Sequence, residues 1–555
     1  MFILITFPLV LHFNQAFAGS PDGYGDLPWE IWLQWFVSNS VKGGNSFFFT
    51  ELTSFPLGTD IFKDTGFFQL AILPASAVSI FLDQPNGYNV TVCLLMVFSA
   101  FAGYRLALYL VQDWAAAFLG GFIFGFNAYT INEFTYGRLP EALGSFLALY
   151  VLFLHKAISN RKLSSAILAP VFLFLTMMSS FTYGIFALIF TIPFFIVRGF
   201  EWNPLRMDPV LARRVVLAAI IFMVMTAPCM GWYLHQARLP LFGIGRDLLF
   251  PQEEPNDPEI VRYSLSAEFP FIRNGILGVP KKISFMILLL AAIPALTRGK
   301  KPWFWIITAV VAYLLALGPY LKVSGNPVFV GGRAIPLPGL LLYRYFPFFM
   351  RIRWSYRFLV LLMLSLSILG GYGFLELVKK CRLSAAGKII LLIIIICLIV
   401  LEVKVSGASL IFPFPLMSVE VPEPYRQLAG EEGDFAILQF PFADNHYAYY
   451  QTIHRKKMFA GPENLTQKYP DGYFDLITGN PILKALHIFQ YCPEWTVEPL
   501  DKDNIDEFNR LGFKYIIVNS NDDCREAVMR TNRWLEKSAE VYQRYPSGIT
   551  IYRLK

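Results

Sequence analysis

The chain has 555 residues, 55% of them hydrophobic and only 16% charged, with a mean hydropathy of +0.48. Soluble domains carry about 25% charged residues, and so few charges could not cover 53 Phe and 11 Trp in water. An ordinary soluble enzyme is excluded, and a bilayer is the expected solvent. The charge is unevenly placed: residues 1–403 hold 30 basic and 20 acidic side chains, residues 404–555 hold 17 basic and 20 acidic. That asymmetry predicts a multispanning membrane domain over 1–403 and a soluble domain over 404–555. The net charge of +7 comes from the membrane part and gives no sign of nucleic-acid binding, the tail being slightly acidic.

Taken in chain order, Met1–Ala18 is apolar and ends in Ala-Phe-Ala-Gly like a cleavable signal, but it lacks a basic start. It reads as a short first membrane helix. Phe67–Leu82, broken by Pro74, reads as a re-entrant or interfacial segment. Apolar runs follow at about 89–111, 114–130, 139–157, 163–179, 181–198, 214–232, 283–297, 303–320, 357–378 and 387–403. The expectation is a polytopic α-helical membrane protein with about eleven spans. The basic loops Lys156–Lys162, Arg198–Arg214, Arg298–Lys301 and Lys379–Lys388 belong on the cytoplasmic face. Residues 19–66, 233–281, 321–356 and the tail then share the opposite face.

The tail reads as α/β. Asp434–Pro441 and Lys514–Asn519 are predicted buried strands, Asn504–Leu511 and Asp522–Lys537 helices, and Ile549–Tyr552 a final edge strand. Six cysteines are scattered without metal-ligand spacing, and Cys492 and Cys524 could pair in an oxidising compartment. The isolated His235, His446, His454 and His487 are assigned no role. There is no Walker loop, Gly-x-Ser-x-Gly or His-Glu-x-x-His, which removes support from pumps, hydrolases and zinc proteases.

Three stretches on the expected outer face carry candidate chemistry. In Ser20–Phe36, Asp26 and Glu30 stand four apart at the start of an aromatic helix, with Trp29, Trp32 and Phe36 placed to rest in the membrane interface. A carboxylate there can accept a proton from a sugar hydroxyl or hold a divalent ion. Asp26 is also a good N-cap ahead of Pro28, and residue type alone favours the cap. In the loop Asn132–Glu141, Glu133, Arg138 and Glu141 are charges at a depth where charge is costly and functional. Arg138 could meet a lipid-linked phosphate, with Glu133 or Glu141 toward the acceptor. Glu141 alternatively only caps the next helix. In Phe349–Phe358, Arg351, Arg353 and Arg357 run against the positive-inside trend. Their guanidiniums suit a phosphate headgroup or, equally for any one of them, snorkel to phospholipid. Arg344 is a weaker member of that cluster.

Gly25-Asp26, then Trp29–Phe36, then Phe55-Pro-Leu-Gly-Thr-Asp60 resembles the first outer loop of the GT-C superfamily of integral-membrane glycosyltransferases. The likeness extends through Tyr88–Tyr109, Asn127–Leu143 and Phe349–Phe358, and the Tyr449–His454 stretch resembles the exoplasmic tails of bacterial members. The resemblance implies a polyprenyl-phosphate-linked sugar donor, an envelope glycan, lipid or protein as acceptor, and inverting hexosyl or pentosyl transfer on the outer face of the inner membrane. It makes Asp26 the catalytic carboxylate, with Glu30, Glu133 and Glu141 as further acidic candidates. Without an Asp-x-Asp pair, a divalent cation stays an open option. A lipid or glycan transporter and a catalytically silent scaffold are the rival classes. No inverted repeat favours the transporter.

Overall fold

The computed structural model describes residues 2–20, 26–61, 72–159, 162–201, 209–236, 264–269, 283–297, 302–346, 349, 352, 354–405, 413–442, 444, 446–459, 472–491, 497, 499–520 and 525–554. Cys492, Arg351 and Arg353 lie outside these residues, as does Cys524.

Met1–Ala18 does not form the expected first membrane helix. Its described part breaks into Phe2–Ile5, a 3-10 turn at Leu9–Leu11 and strand β1 (Ala16–Ala18). Pro8 removes a donor from the run, and His12, Asn14 and Gln15 make its second half too polar for lipid. Strand β1 instead pairs antiparallel with a strand of the tail, Leu416–Ser418, with Phe17 opposite Met417. The Asn89 side chain completes the seam. Its Oδ1 accepts from Ala18 N at 2.8 Å, and its Nδ2 donates to Ala16 O at 2.8 Å.

Helix α1 (Leu27–Lys42) follows, then α2 (Ile72–Phe81), the described part of the Phe67–Leu82 segment. Ten residues rise about 15 Å, half the hydrocarbon thickness. Ten further helical stretches coincide with the other ten apolar runs. They are α3 (Asn86–Val111), α4 (Trp114–Gly125) continued by α5 (Ala128–Thr135), α6 (Ser145–Ser159), α7 (Leu163–Ser179), α8 (Phe181–Glu201), α9 (Pro209–Gln236), α10 (Phe285–Leu296), α11 (Trp303–Ala316) and, after α12 (Gly339–Tyr345), α13 (Leu359–Lys380) and α14 (Ala385–Val405). Among the described residues, five stretches are long and apolar enough to cross a membrane unaided: Asn86–Val111, Trp114–Thr135, Leu139–Ser159, Ser355–Lys380 and Ala385–Glu402. Others, such as Phe285–Leu296, are shorter.

Small residues let these helices approach closely. A Cβ at Gly125 would stand 2.5 Å from Ala100 Cβ, and one at Gly373 only 2.0 Å from Leu290 O. At the ends away from the tail, Asp113 caps α4 and pairs with Lys388. At the tail end, Glu402 accepts from Ser284 Oγ at 2.7 Å and from Met286 N at 3.1 Å, capping α10 from another helix.

Beyond α14 the chain builds a mixed five-stranded sheet. Leu416–Ser418 is β2, and then come β3 (Ala436–Phe440), β4 (Lys457–Met458), β5 (Phe513–Asn519), β6 (Ala539–Arg544) and β7 (Ile549–Leu554). The order is β4-β3-β5-β7-β6, with β3 and β5 parallel and β7 antiparallel to both its neighbours. Ile549–Tyr552 is therefore not the edge. Strand β6 takes that place, and its exposed, charged residues hide the strand from a burial pattern. Helices Pro481–Tyr491, Lys502–Arg510 and Arg525–Leu535 pack on one sheet face through Leu486, Phe508 and Trp534. Ile437, Tyr515 and Ile551 on the other face join the core that continues into the membrane helices. Burial on both faces explains the unbroken apolar runs of β3 and β5.

Candidate functional site

Two backbone hydrogen bonds sew the loop ahead of α1 to the end of α5. Ser20 N donates to Thr135 O at 2.7 Å and Asp26 N to Tyr136 O at 2.8 Å. Gly137 makes the approach possible. It has φ +73°, and a Cβ there would lie 2.3 Å from Leu27 Cα. This seam brings the carboxylates of the first loop against the charges of the second.

Asp26 precedes α1, yet its carboxylate makes no cap hydrogen bond. Its backbone (φ −83°, ψ 0°) is helical rather than extended, so the side chain is not aimed at the helix N–H groups. The N-cap reading is corrected. Asp26 Oδ2 instead faces Arg138 Nε at 3.3 Å. Arg138 Nη1 donates to Tyr356 OH at 2.9 Å and stands 3.7 Å from Glu133 Oε2. Glu133 is fully buried, and its Oε1 accepts from Tyr356 OH at 3.2 Å and Asn132 Nδ2 at 3.1 Å.

A second pair lies beside the first. Glu141 sits in the first turn of the short helix Leu139–Ala142, as the capping reading expects, but its Oε1 pairs with Arg357 Nη1 at 2.9 Å. Arg357 stacks over Trp354, with its central carbon 4.3 Å from the ring centroid. Its buried Nε has no hydrogen-bond partner among the described residues. The Glu141 carbonyl accepts from Tyr183 OH, which also meets Tyr129 OH at 2.6 Å. Tyr129 in turn packs edge-on against Tyr356.

Glu30, one turn beyond Asp26, is buried, and its Oε2 has no hydrogen-bond partner among the described residues. Burial first, then the neighbouring Asp26 and Glu141 carboxylates, push its pKa well above the usual carboxylate value. The structure thus brings Asp26, Glu30, Glu133, Glu141, Arg138 and Arg357 into one cluster. Arg344 lies on the exposed side of α12.

Sequence reasoning missed Tyr356, Asn132, Trp354 and the Tyr129–Tyr183 pair. Tyr356 stands between candidate arginines, and a phenol entering a membrane helix demands a polar partner. That was the available signal.

Among the described residues no group of three or more His, Cys, Asp or Glu is placed to hold a metal ion. Asp26 and Glu141 each turn toward a guanidinium instead of converging. Among the described residues these carboxylates form no divalent-cation cage.

The aromatic stripe of α1 differs from expectation. Trp29, Trp32 and Phe36 stack on one another, ring centroids 4.6 and 5.1 Å apart, and are buried rather than set in the membrane interface. Tail helix α15 (His446–His454) covers them. Trp32 Nε1 donates to Gln451 Oε1 at 2.6 Å, the partner a buried indole requires. Loop and tail also exchange backbone bonds, Phe55 N to Met458 O at 3.0 Å and Met458 N to Leu52 O at 2.9 Å. The first loop and the tail therefore lie on the same face.

No protein-family model matches the sequence, and no curated protein matches it. The chain is similar to solved structures. Arabinofuranosyltransferase AftD from Mycobacteria superposes with a TM-score of 0.56 at 11% identity, over 100% of this chain and 39% of AftD. The chain thus spans about two-fifths of AftD's length. ArnT from Cupriavidus metallidurans, solved bound to undecaprenyl phosphate, aligns over 99% of this chain and 96% of its own at 11% identity and a TM-score of 0.49. Archaeal oligosaccharyltransferase AglB from Archaeoglobus fulgidus, in complex with an inhibitory peptide and a dolichol-phosphate, aligns over 100% and 73% at 11% identity and a TM-score of 0.47. The chain shares its fold with AftD.

Proposed function

We propose that the protein is an inverting membrane glycosyltransferase. It transfers a sugar from a polyprenyl-phosphate donor to an envelope glycan, lipid or protein on the outer face of the inner membrane. Residues 1–403 form the membrane domain, and residues 404–555 form a periplasmic domain. The observation that carries this reading is Asp26, a carboxylate freed from capping and set beside Arg138 where two outer loops meet.

Asp26 accepts the proton of the acceptor hydroxyl. The acceptor oxygen attacks the anomeric carbon, the bond from that carbon to the phosphate oxygen breaks, and the phosphate leaves with the electron pair. Inversion follows from the single displacement. Arg357, buried and with Nε unengaged by the described residues, is the donor for that phosphate. Arg138 orients Asp26 and links it through Tyr356 to Glu133.

The test is glycosyl transfer by the full chain in lipid nanodiscs, offered a panel of polyprenyl-phosphate sugars and envelope extract. Product from wild type and none from Asp26→Asn supports the enzyme. A silent scaffold would give no product with any donor and would keep its envelope partner in the Asp26→Asn variant.

A further inference from the structure

Between α11 and α13 the chain builds a small ribbon on the face of the site. Lys322–Val323 pairs antiparallel with Asn326–Pro327, and Phe329–Val330 with Arg333–Ala334. A backbone bond from Leu321 N to Ile335 O, at 2.9 Å, joins these hairpins into one unit. Its base is fixed beside the catalytic cluster. Tyr343 OH meets Ser355 Oγ at 2.9 Å, next to Tyr356 in the chain.

The ribbon's two turns differ. The first is tied down: Ser324 N donates to Glu268 Oε1 at 2.7 Å, Gly325 N to Ser266 Oγ at 3.0 Å, and the buried Lys322 ammonium to Ser264 O at 2.6 Å. The second, Val330-Gly331-Gly332-Arg333, turns on consecutive glycines at φ +57° and +77°. Two positive φ values in a two-residue loop are those of a tight hairpin turn matched to strand twist. A Cβ at either glycine would meet nothing within 4 Å, so the tip stands clear of the other described residues. It nevertheless carries Phe329 and Val330, which are 64% and 67% exposed. Helix α12, next in the chain, buries Leu340 and Tyr343 and turns Leu341, Arg344 and Tyr345 outward.

Scattered exposed apolar residues need no explanation. Here four large ones fall within seventeen residues of one loop, on a hairpin tip and an adjacent helix face. We propose that the Phe329–Val330 tip and the outward side of α12 form a wedge seated in the lipid leaflet on the face of the site. Three observations select lipid as the occupant. The loop leaves and re-enters the protein through membrane helices α11 and α13. The outward stripe of α11, Trp303, Ile307, Val310 and Val311, is a lipid-facing surface that leads to the ribbon. Aromatic and apolar side chains beside Arg333 and Arg344 have the composition of an interfacial segment. The wedge rests on the membrane placement of the chain and not on the proposed reaction.

The test is depth-dependent fluorescence quenching. The six native cysteines are replaced by serine or alanine. Then Phe329→Cys, Val330→Cys and, at the tied turn, Asn326→Cys are each labelled with an environment-sensitive dye in full-length protein in nanodiscs. Lipid carrying a doxyl group near its carbonyl should quench the dye at 329 and 330 at least about twofold more than at 326, with blue-shifted emission. Equal quenching at all three sites, with the tip open to aqueous iodide, overturns the wedge. A blue shift at 329 without lipid quenching would seat a protein partner or second copy there and overturns it equally. Two adjacent tip positions keep the result readable if one variant cannot be recovered.

Discussion

Asp26 can be separated from its rival role as a helix cap by three substitutions, because asparagine, serine and alanine differ in different ways. Asn keeps an acceptor for Arg138 but loses the base, Ser can cap but cannot reach Arg138, and Ala can do neither. The Asp26–Arg138 contact is 3.3 Å long, with side chains 29% and 15% exposed, and Arg138 keeps Tyr356 and Glu133 when Asp26 is gone. The pair is mostly buried, but Arg138 keeps its other partners, so losing the Asp26 carboxylate should cost on the order of 1–3 kcal/mol, alike in Ser and Ala, and all three variants should fold. If Asp26 were a cap, Ser would be more stable than Ala by about 1 kcal/mol. The missing cap hydrogen bond says that Ser and Ala should unfold together. Catalysis should behave differently, since loss of a general base costs roughly 10²–10⁴ in rate, about 3–5 kcal/mol of barrier. Thermal unfolding in detergent reads the first quantity, and glycosyl transfer in nanodiscs reads the second. A Ser variant rescued in stability over Ala, together with an active Asn variant, would refute the reasoning on both counts.

Other expectations follow from the same geometry. Arg357→Lys keeps the charge but not the planar donors, so the apparent KM for the lipid-linked donor should rise about tenfold or more while the fold holds; an unchanged KM would remove Arg357 from the phosphate site. Gly137→Ala forces a side chain into φ +73° and against Leu27, and should cost on the order of 1–3 kcal/mol from the backbone alone, with further loss from the clash; a variant as heat-stable as wild type would mean that the two loops can separate. Glu30 holds its proton more tightly when folded, so its contribution to stability is full below the usual carboxylate range and is lost as pH rises through the raised value. Glu30→Gln, uncharged throughout, should flatten that decline in the unfolding temperature, and parallel pH profiles for the two proteins would contradict it. Gln451→Leu leaves the buried Trp32 indole N–H without its acceptor, at a cost of about 1–3 kcal/mol, and should loosen the tail from α1. Limited proteolysis of the tail would report this, and wild-type resistance would count against the clamp.

What could be read from the sequence follows a physical divide between local pattern and long-range pairing. Ten apolar helices and two fully buried tail strands announce themselves through runs of like residues, because lipid and a two-faced core impose the same chemistry on every position. Met1–Ala18 has the composition of such a run, but its fate depends on β2, some four hundred residues away, whose edge it completes. The aromatic stripe of α1 fails for the same reason. Trp29, Trp32 and Phe36 do need an apolar cover, and no periodicity says whether lipid or Ala448 and Gln451 of the tail supplies it. The site divides likewise. Each charged member stood out singly, because a charge between membrane spans is costly enough to imply a purpose. Their pairing was not legible, since Asp26 meets Arg138 only through Gly137 and two backbone bonds, and Glu141 meets Arg357 across more than two hundred residues. On residue type alone capping is the better reading of Asp26, because it is a local interaction, and local interactions are all that residue type at a helix start can report. Once the second loop is laid against the first, a buried guanidinium competes for the same carboxylate, and it wins the side chain while the helix starts without it.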